Sequence, residues 1–245
     1  PLNDKGLEIR YSVPRAWIRA WRTAYGESVL RGLLESINDA PPAYLRINTH
    51  MTTVRDFRAQ LDEAGVSYSE IPGLPSALYI ADAGALHNLP AECAAYYYFQ
   101  DIASQWCCLA LGAHPGERVA DVCAAPGGKT MTIAQHMNNE GVVVAGDLHD
   151  HKCRAMVERV GRYGLTSIVV RQRDASQPPM VEDVEAYDRV VCDAPCSGLG
   201  VIRRKPEIRY KHPDEFADLP ALQLQILQQA AKMVKRGGVL QYSTC

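Results

Sequence analysis

The chain has 245 residues, is 47% hydrophobic and carries a formal net charge of −2. A chain of this length can bury one substantial core and a small second module, which excludes three independent domains. Its nearly balanced charge excludes a protein that coats nucleic acid through its overall field, so such contacts would need local basic patches. No apolar run approaches the roughly 20 residues of a membrane span, and no signal sequence opens the chain. We expect a cytoplasmic protein.

Eight cysteines are present, and no pair has the CxxC spacing of a zinc or redox site. Several lie within apolar runs, as Cys192 does in RVVCDAP. Buried, reduced cysteines are typical of cytosolic proteins. We therefore predict no metal site.

Residues 1–40 are predicted to form a helical linker segment. Apolar residues such as Trp17 and Trp21 recur at helical spacing over residues 11–38, and Gly26 interrupts the pattern. Several arginines accompany them. These arginines form either a solvated helix face or a contact with RNA phosphates, and the sequence does not separate the two.

A small α+β module is predicted over residues 41–90. Pro41 and Pro42 mark its start, and AYLRINTH is typical of a strand. The segment TTVRDFRAQLDEAG predicts a helix capped by threonine, and a stretch broken by Pro and Gly ends in SALYIAD. Residues 94–111, rich in Ala, Tyr and Cys, predict a buried helix.

From Arg118 onward, short runs of β-branched residues alternate with helices of ten or more residues. The predicted strands are RVADVCA, VVVAGDL, IVVRQRD, RVVCDAP and GVLQYSTC. This alternation predicts an α/β fold with a doubly wound, mainly parallel sheet, which we place in a domain over residues 91–245. Ligands of such sheets bind beyond the carboxyl ends of the strands, so polar residues there are the candidate site.

A turn of small residues follows the first of these strands and opens a helix. It consists of Cys123, Ala124, Ala125, Pro126, Gly127, Gly128 and Lys129. Small residues let the backbone approach a ligand, and free amides at a helix N-terminus favour a negative or polar group. The turn departs from the phosphate-binding loop pattern at Cys123 and lacks GxGxxG, which disfavours both nucleotide alternatives.

Acidic residues end the next strands. Asp147 is suited to ribose hydroxyls and Asp174 to an adenine amino group; the alternatives are a helix cap and a surface turn. Asp193 ends the fourth strand. Because three acids would repel phosphates, an adenosine without phosphates, as in S-adenosylmethionine, fits this set best.

Two cysteines follow the fourth and fifth strands. Cys196 lies three residues after Asp193, and Cys245 ends YSTC. Since adjacent strands lie about 4.8 Å apart, both thiols could face one pocket. A thiolate that adds to C6 of cytosine makes C5 nucleophilic, an acid near N3 stabilises the ring charge, and a base removes the C5 proton. We therefore predict that Asp193, Cys196 and Cys245 are catalytic.

The motifs together resemble the RNA cytosine-5 methyltransferase family, in the Sun/Fmu/NOL1 group. They are DVCAAPGGKT at 121–130, GD at 146–147, Asp174, DAPCSGLGVIRRKPEIRY at 193–210 and YSTC at 242–245, and FQDIASQ at 99–105 is similar to the segment before the family's domain. The resemblance implies a Rossmann-like fold in which residues 123–129, Asp147, Asp174 and Asp193 bind S-adenosylmethionine. It also implies that Cys245 is the nucleophile and that Cys196 assists product release.

A basic stretch follows Cys196. Its members are Arg203, Arg204, Lys205, Arg209 and Lys211, which form either a solvated loop or, beside an RNA active site, a contact with the RNA backbone. The residues before 91 are similar to the linker and RRM-like element of bacterial 16S ribosomal RNA enzymes of the Fmu/Sun type. The expected partner is therefore 16S rRNA, with an unstacked target cytosine. The alternatives are a transfer RNA methyltransferase and a catalytically weak RNA-binding or assembly protein.

The resemblance also implies a further strand pair after residue 245. We therefore expect that the Rossmann-like domain is truncated at its C-terminal end and that this piece has weak activity or none.

Overall fold

A computed structural model describes residues 2–245 and divides them into two compact units. The first unit contains the chain up to Pro41, together with Pro195–Leu224 and Thr244–Cys245. The second contains Pro42–Ala194 and Gln225–Ser243.

The first unit is built on two helices, α1 (Asp4–Tyr11) and α2 (Arg15–Ser36). Gly26 has φ 78° and ψ 172°, so the helical backbone of α2 is interrupted there, as the sequence predicts. Trp17 and Trp21 stack with their ring centroids 5.7 Å apart. They share a core with Ile202 and Ile208, which belong to the segment after Cys196. Helical spacing indicates which face of α2 is buried, but it does not indicate that this face packs against Ile202 and Ile208.

The second unit begins with a four-stranded antiparallel sheet. Its elements are β1 (Ala43–Ile47), α3 (Val54–Glu63), β2 (Tyr68–Ile71), β3 (Leu74–Ile80) and β4 (Tyr97–Phe99). The strand order is β2-β3-β1-β4. The predicted threonine cap is confirmed, because Thr53 Oγ1 accepts a hydrogen bond from the Asp56 amide at 3.0 Å.

The prediction of one helix over residues 94–111 is wrong for its first part. Tyr97–Phe99 form β4 and pair antiparallel with Leu45–Ile47, so the helix α4 covers only Ile102–Leu111. Aromatic residues fit a pleated, half-buried surface, and pairing with β1 outweighs the helical spacing here. The fourth strand of the small sheet is therefore formed by residues that the sequence pattern places in the domain over residues 91–245.

The rest of the second unit is a Rossmann-like α/β fold. Its further elements are β5 (Arg118–Asp121), α5 (Gly128–His136), β6 (Val142–Asp147), α6 (Asp150–Arg162), β7 (Ile168–Gln172), β8 (Tyr187–Asp193), α7 (Leu219–Ala231) and β9 (Val234–Ser243). The strand order is β7-β6-β5-β8-β9, and each neighbouring pair is parallel. The predicted doubly wound sheet is confirmed. Its order reverses direction at β5, which is where ligands bind in this class of sheet.

Both hydrophobic and polar contacts hold the second unit together. The core under α5 includes Met131, Val143 and Val191. Buried Arg46 donates from Nε to Gln135 Oε1 at 3.1 Å, and Gln135 Nε2 donates to Asn48 Oδ1 at 3.1 Å. This chain of hydrogen bonds joins β1 to α5 and fixes the small sheet against the large one. No helix within residues 2–245 combines the length and the apolar composition needed to cross a membrane.

Candidate functional site

The loop between β5 and α5 has a tightly fixed backbone. The Ala124 amide donates to Gly146 O at 2.8 Å, and the Ala125 amide donates to Asp147 Oδ2 at 3.2 Å. Gly127 has φ 96°, and a Cβ there would lie 3.0 Å from Met156 Cγ. A side chain at this position would therefore meet both backbone strain and a close contact. The loop approaches β6 closely because its residues are small.

The two acids predicted to hold adenosine end β6 and follow β7. Asp147 is buried, and its other oxygen, Oδ1, accepts from the His149 amide at 3.1 Å. Asp174 is half-buried, and its Oδ1 accepts from the Ser176 hydroxyl at 2.6 Å and the Ser176 amide at 2.9 Å. These Ser176 hydrogen bonds lower the pKa of Asp174 below its ordinary value. Since a carboxylate offers roughly four acceptor positions, both acids can still bind a ligand hydroxyl or amine.

Lys129 and Asp193 form an ion pair at the carboxyl end of β8. Lys129 Nζ lies 2.6 Å from Asp193 Oδ2, and the Ser243 hydroxyl donates to Asp193 Oδ1 at 2.7 Å. Burial alone would lower the pKa of Lys129, but the hydrogen bond and the charge of Asp193 raise it. Lys129 therefore stays charged and fixes the carboxylate of Asp193.

A cavity of about 210 Å³ lies between this ion pair and the loop. Its lining includes residues 123–126, Gly128, Gln100, Ser104, Asp121, Lys129 and Asp193. Asp147 and Asp174 are not part of this lining. The predicted cofactor residues therefore divide into two groups, one at the cavity and one at the ends of β6 and β7.

Two buried groups beside the cavity have pKa values that are displaced by their surroundings. Burial raises the pKa of Asp121 to about 6, although the Thr130 hydroxyl donates to its Oδ2 at 2.7 Å. Burial also raises the pKa of the Cys123 thiol. Cys123 therefore acts as a small neutral side chain at the loop, not as a nucleophile.

In the first unit, the structure brings Cys196 and Cys245 together. Their Sγ atoms lie 2.7 Å apart, and the Cys245 amide donates to Cys196 Sγ at 3.3 Å. They are not joined by a disulfide; Cys196 is half-buried and Cys245 is exposed. Gly200 permits this arrangement, because a Cβ there would lie 2.8 Å from the Cys245 carbonyl carbon.

The predicted RNA-binding residues differ in exposure. Arg204, Lys205 and Lys211 are exposed. Arg203 is half-buried, and its guanidinium donates to Ala40 O at 2.7 Å. Arg209 is only 5% exposed and donates to Asn38 Oδ1 at 2.8 Å and Ile37 O at 3.3 Å. Arg209 therefore holds its segment to the end of α2 and does not present its charge to an RNA strand.

Several cavity residues were not among the predicted site residues. Gln100, Ser104 and Asp121 line the cavity, and Ser243 binds Asp193. Gln100 and Ser104 lie within FQDIASQ, the segment whose family resemblance the sequence does reveal. That resemblance indicates the segment but assigns no role to either side chain.

The parallel sheet, with a glycine-containing loop after β5 and acids at successive strand ends, is typical of the Rossmann-like fold of methyltransferases. Residues 108–245 match the family described as 16S rRNA methyltransferase RsmB/F, and residues 13–87 match a ferredoxin-like domain described as RsmF/B-like. The chain belongs to the RsmB/F methyltransferase family.

Individual relatives agree with this family. The probable ribosomal RNA small subunit methyltransferase B of Synechocystis is 36% identical over 98% of this chain, as is the probable ribosomal RNA small subunit methyltransferase B of Bacillus subtilis. The crystal structure of PH0851 is 30% identical, with a TM-score of 0.91, and matches 100% of this chain and 56% of its own. The chain spans 54% of the length of each of the two curated relatives.

Proposed function

We propose that this protein is an S-adenosylmethionine-dependent methyltransferase that modifies C5 of a cytosine in RNA, and that its substrate is 16S rRNA. The observation that carries the proposal is the pair of cysteines whose Sγ atoms lie 2.7 Å apart. Methyl transfer to nitrogen or oxygen needs no such pair. Transfer to C5 of a pyrimidine uses one thiol to activate the ring and a second group to help release it.

The residues at the carboxyl ends of the strands fit S-adenosylmethionine. Asp147 and Asp174 offer acceptors for ribose hydroxyls and an adenine amino group, and neither would tolerate a phosphate nearby. The loop lets its backbone approach the ligand, since Gly127 and Gly128 carry no side chain. When bound, S-adenosylmethionine supplies an electrophilic methyl group.

The cysteines act on the base. The Cys245 thiolate would form a bond from Sγ to C6, the electrons of the C5–C6 double bond would move to C5, and C5 would take the methyl group with S-adenosylhomocysteine as the leaving group. A base then removes the C5 proton, the double bond returns, and the bond from Sγ to C6 breaks. We assign help in this release to Cys196. Asp193, held in an ion pair with Lys129, would stabilise the charge that develops on the ring near N3.

The RNA contacts of this proposal rest on exposed basic residues. Arg204, Lys205 and Lys211 follow Cys196 and suit the sugar-phosphate backbone. The choice of 16S rRNA is supported by the names of the curated relatives, which describe small-subunit ribosomal RNA methyltransferases.

The test is to trap the covalent adduct. The full-length protein is incubated with labelled S-adenosylmethionine and 16S rRNA fragments carrying 5-fluorocytosine, whose fluorine cannot leave as a proton would. We expect a denaturant-stable protein–RNA adduct on Cys245, identified by mass spectrometry of the cross-linked peptide. The matched control is Cys93→Ala, which removes a cysteine buried in the core against the antiparallel sheet and should leave the adduct intact.

Other outcomes identify other chemistry. An adduct on Cys196 would reverse the roles of the two cysteines. If S-adenosylmethionine binds but no adduct forms, cytosine-5 methylation is excluded, and a protein that binds RNA without modifying it becomes the better description.

A further inference from the structure

Tyr210 is the most exposed aromatic side chain among residues 2–245, with a relative exposure of 68%. It ends a short 3-10 helix, Pro206–Tyr210, in the basic stretch that follows Cys196. A single exposed ring is normal on a protein surface and by itself indicates no partner. What Tyr210 can bind depends on how firmly it is held, where it lies and which charges surround it.

The backbone on both sides of Tyr210 is fixed within the first unit. Ile208 is buried in the core of that unit, and Arg209 is 5% exposed and hydrogen-bonded to the end of α2. On the other side, the Trp17 indole donates from Nε1 to Lys211 O at 2.7 Å. The backbone that carries the ring therefore has little freedom left to lose, so a partner can cover the ring at a small cost in conformational entropy.

The segment that carries Tyr210 lies close to the pair of cysteines. A Cβ at Gly198 would lie 2.8 Å from Ile208 Cδ1, so the loop after the first cysteine packs against this segment. Two residues further on, a Cβ at Gly200 would lie 2.8 Å from the carbonyl carbon of Cys245. One loop therefore contacts both the segment that ends in Tyr210 and the proposed nucleophile.

The charges around the ring indicate the kind of partner. Residues 203–211 contain five basic residues and one acid, Glu207. Lys205 and Lys211 are exposed on either side of Tyr210 in the sequence. An aromatic ring among cations suits a single-stranded nucleic acid, because its phosphates pair with the cations and its bases stack on the ring.

A cytosine that is turned out of its strand leaves the neighbouring base without one of its stacking partners. We propose that the ring of Tyr210 stacks on a base next to the target cytosine and so holds the RNA strand with that cytosine at the pair of cysteines. Every base has a flat face, so this contact selects an unstacked strand and not a particular sequence. The inference rests on the proposed function.

The test compares RNAs that differ by one base. The parent RNA is a single strand around the cytosine that forms the adduct described above, and two matched RNAs lack the base on the 5′ or on the 3′ side of that cytosine. Fluorescence anisotropy gives each Kd for the full-length protein with S-adenosylhomocysteine, which has no methyl group to transfer. Loss of the stacked base should weaken wild-type binding roughly tenfold.

Tyr210→Ala removes the ring from the same contact. This variant should bind the parent RNA roughly tenfold more weakly than the wild type does, and loss of the stacked base should then cost it no more than about twofold. Its Kd for S-adenosylhomocysteine should not change, because the loop between β5 and α5 lies in the other compact unit.

Three further variants separate stacking from other roles of the side chain. Tyr210→Phe and Tyr210→Trp keep an aromatic ring, so both should bind the parent RNA within about twofold of the wild type and still respond to the missing base. A hydrogen bond from the hydroxyl would not survive either change. Tyr25→Ala removes a 60% exposed tyrosine from α2 of the same unit and should alter no Kd.

The outcomes separate this proposal from the one on which it rests. If Tyr210→Ala binds the parent RNA as tightly as the wild type does, or loses as much affinity as the wild type for both abasic RNAs, Tyr210 stacks on neither base. The proposal then fails, while the methyltransferase assignment stands. If no 16S rRNA fragment forms an adduct, the proposed function fails and this inference fails with it.

Discussion

The loop between β5 and α5 and the pair formed by Cys196 and Cys245 are built in opposite ways. The loop is mostly buried or half-buried, with only Pro126 exposed, and its backbone is hydrogen-bonded to β6. The thiol pair reaches solvent, with Cys245 exposed. Burial raises the pKa of Cys192 to about 12, so this cysteine is suited to a core and not to nucleophilic attack. A cofactor loop must hold one backbone shape, whereas a nucleophile must reach a base that comes from outside.

The largest expected effect is a loss of methyl transfer with no change in the loop between β5 and α5. Cys245→Ala removes the proposed nucleophile, so methylation of 16S rRNA should fall about 10³-fold or more. The Kd for S-adenosylhomocysteine should stay within about twofold, because the loop lies in the other compact unit. Radiolabelled methyl transfer and calorimetry measure the two quantities.

Cys196→Ala is the matched variant. It should slow release and accumulate a protein–RNA complex that survives denaturing gel electrophoresis, which Cys245→Ala should not form. Methylation that persists in Cys245→Ala would contradict the assignment of roles.

The second prediction concerns the acid beneath the loop. Burial raises the pKa of Asp121 to about 6, above the roughly 3.9 of an unfolded aspartate. Because the folded state holds the proton more tightly, the stabilisation is full below about pH 4 and is lost as the pH rises through 6. Relative to Asp121→Asn, which does not titrate, the wild type should lose about 2–3 kcal/mol between pH 4 and pH 7.

Urea unfolding of both proteins across this pH range measures the difference in the free energy of unfolding. Asn can still accept the hydrogen bond from Thr130, so the comparison isolates the charge. A difference that does not change with pH would show that Asp121 is ionised in the folded protein throughout.

The sequence predicts the parallel sheet well because its signals are local. β-branched runs, the glycine turn at 127–128 and the acids at strand ends each depend on a few neighbouring residues. The sequence does not predict β4, because its pairing with β1 joins residues about 50 positions apart. The buried role of Arg209 was missed for a similar reason, since its acceptors at Ile37 and Asn38 lie about 170 positions away.

The residues of the candidate site also differ in whether local sequence signals or contacts between distant residues reveal them. Spacing and motif indicate the loop, the acids and the cysteines, which follow directly from strands. Gln100 was missed because its hydrogen bond with Thr132 and the cavity that it lines exist only in the assembled fold. A glutamine in a sequence carries no signal of whether its amide is satisfied.

The smallest expected effects compare two glycines, one in the loop and one in a helix. Gly127→Ala forces a side chain onto a backbone with φ 96° and towards Met156. We expect it to destabilise the protein by about 1–3 kcal/mol and to weaken S-adenosylhomocysteine binding, because the loop must shift. Gly161→Ala makes the same change within α6, where a Cβ meets nothing within 4 Å. It should stabilise the protein by about 0.5–1 kcal/mol and leave binding unchanged, since alanine favours the helix. If the loop backbone is fixed by its own conformation, urea unfolding should show changes in the free energy of unfolding of opposite sign for the two variants, and calorimetry should show weaker binding for Gly127→Ala alone. If the loop adapts freely, both variants should show equal, small changes.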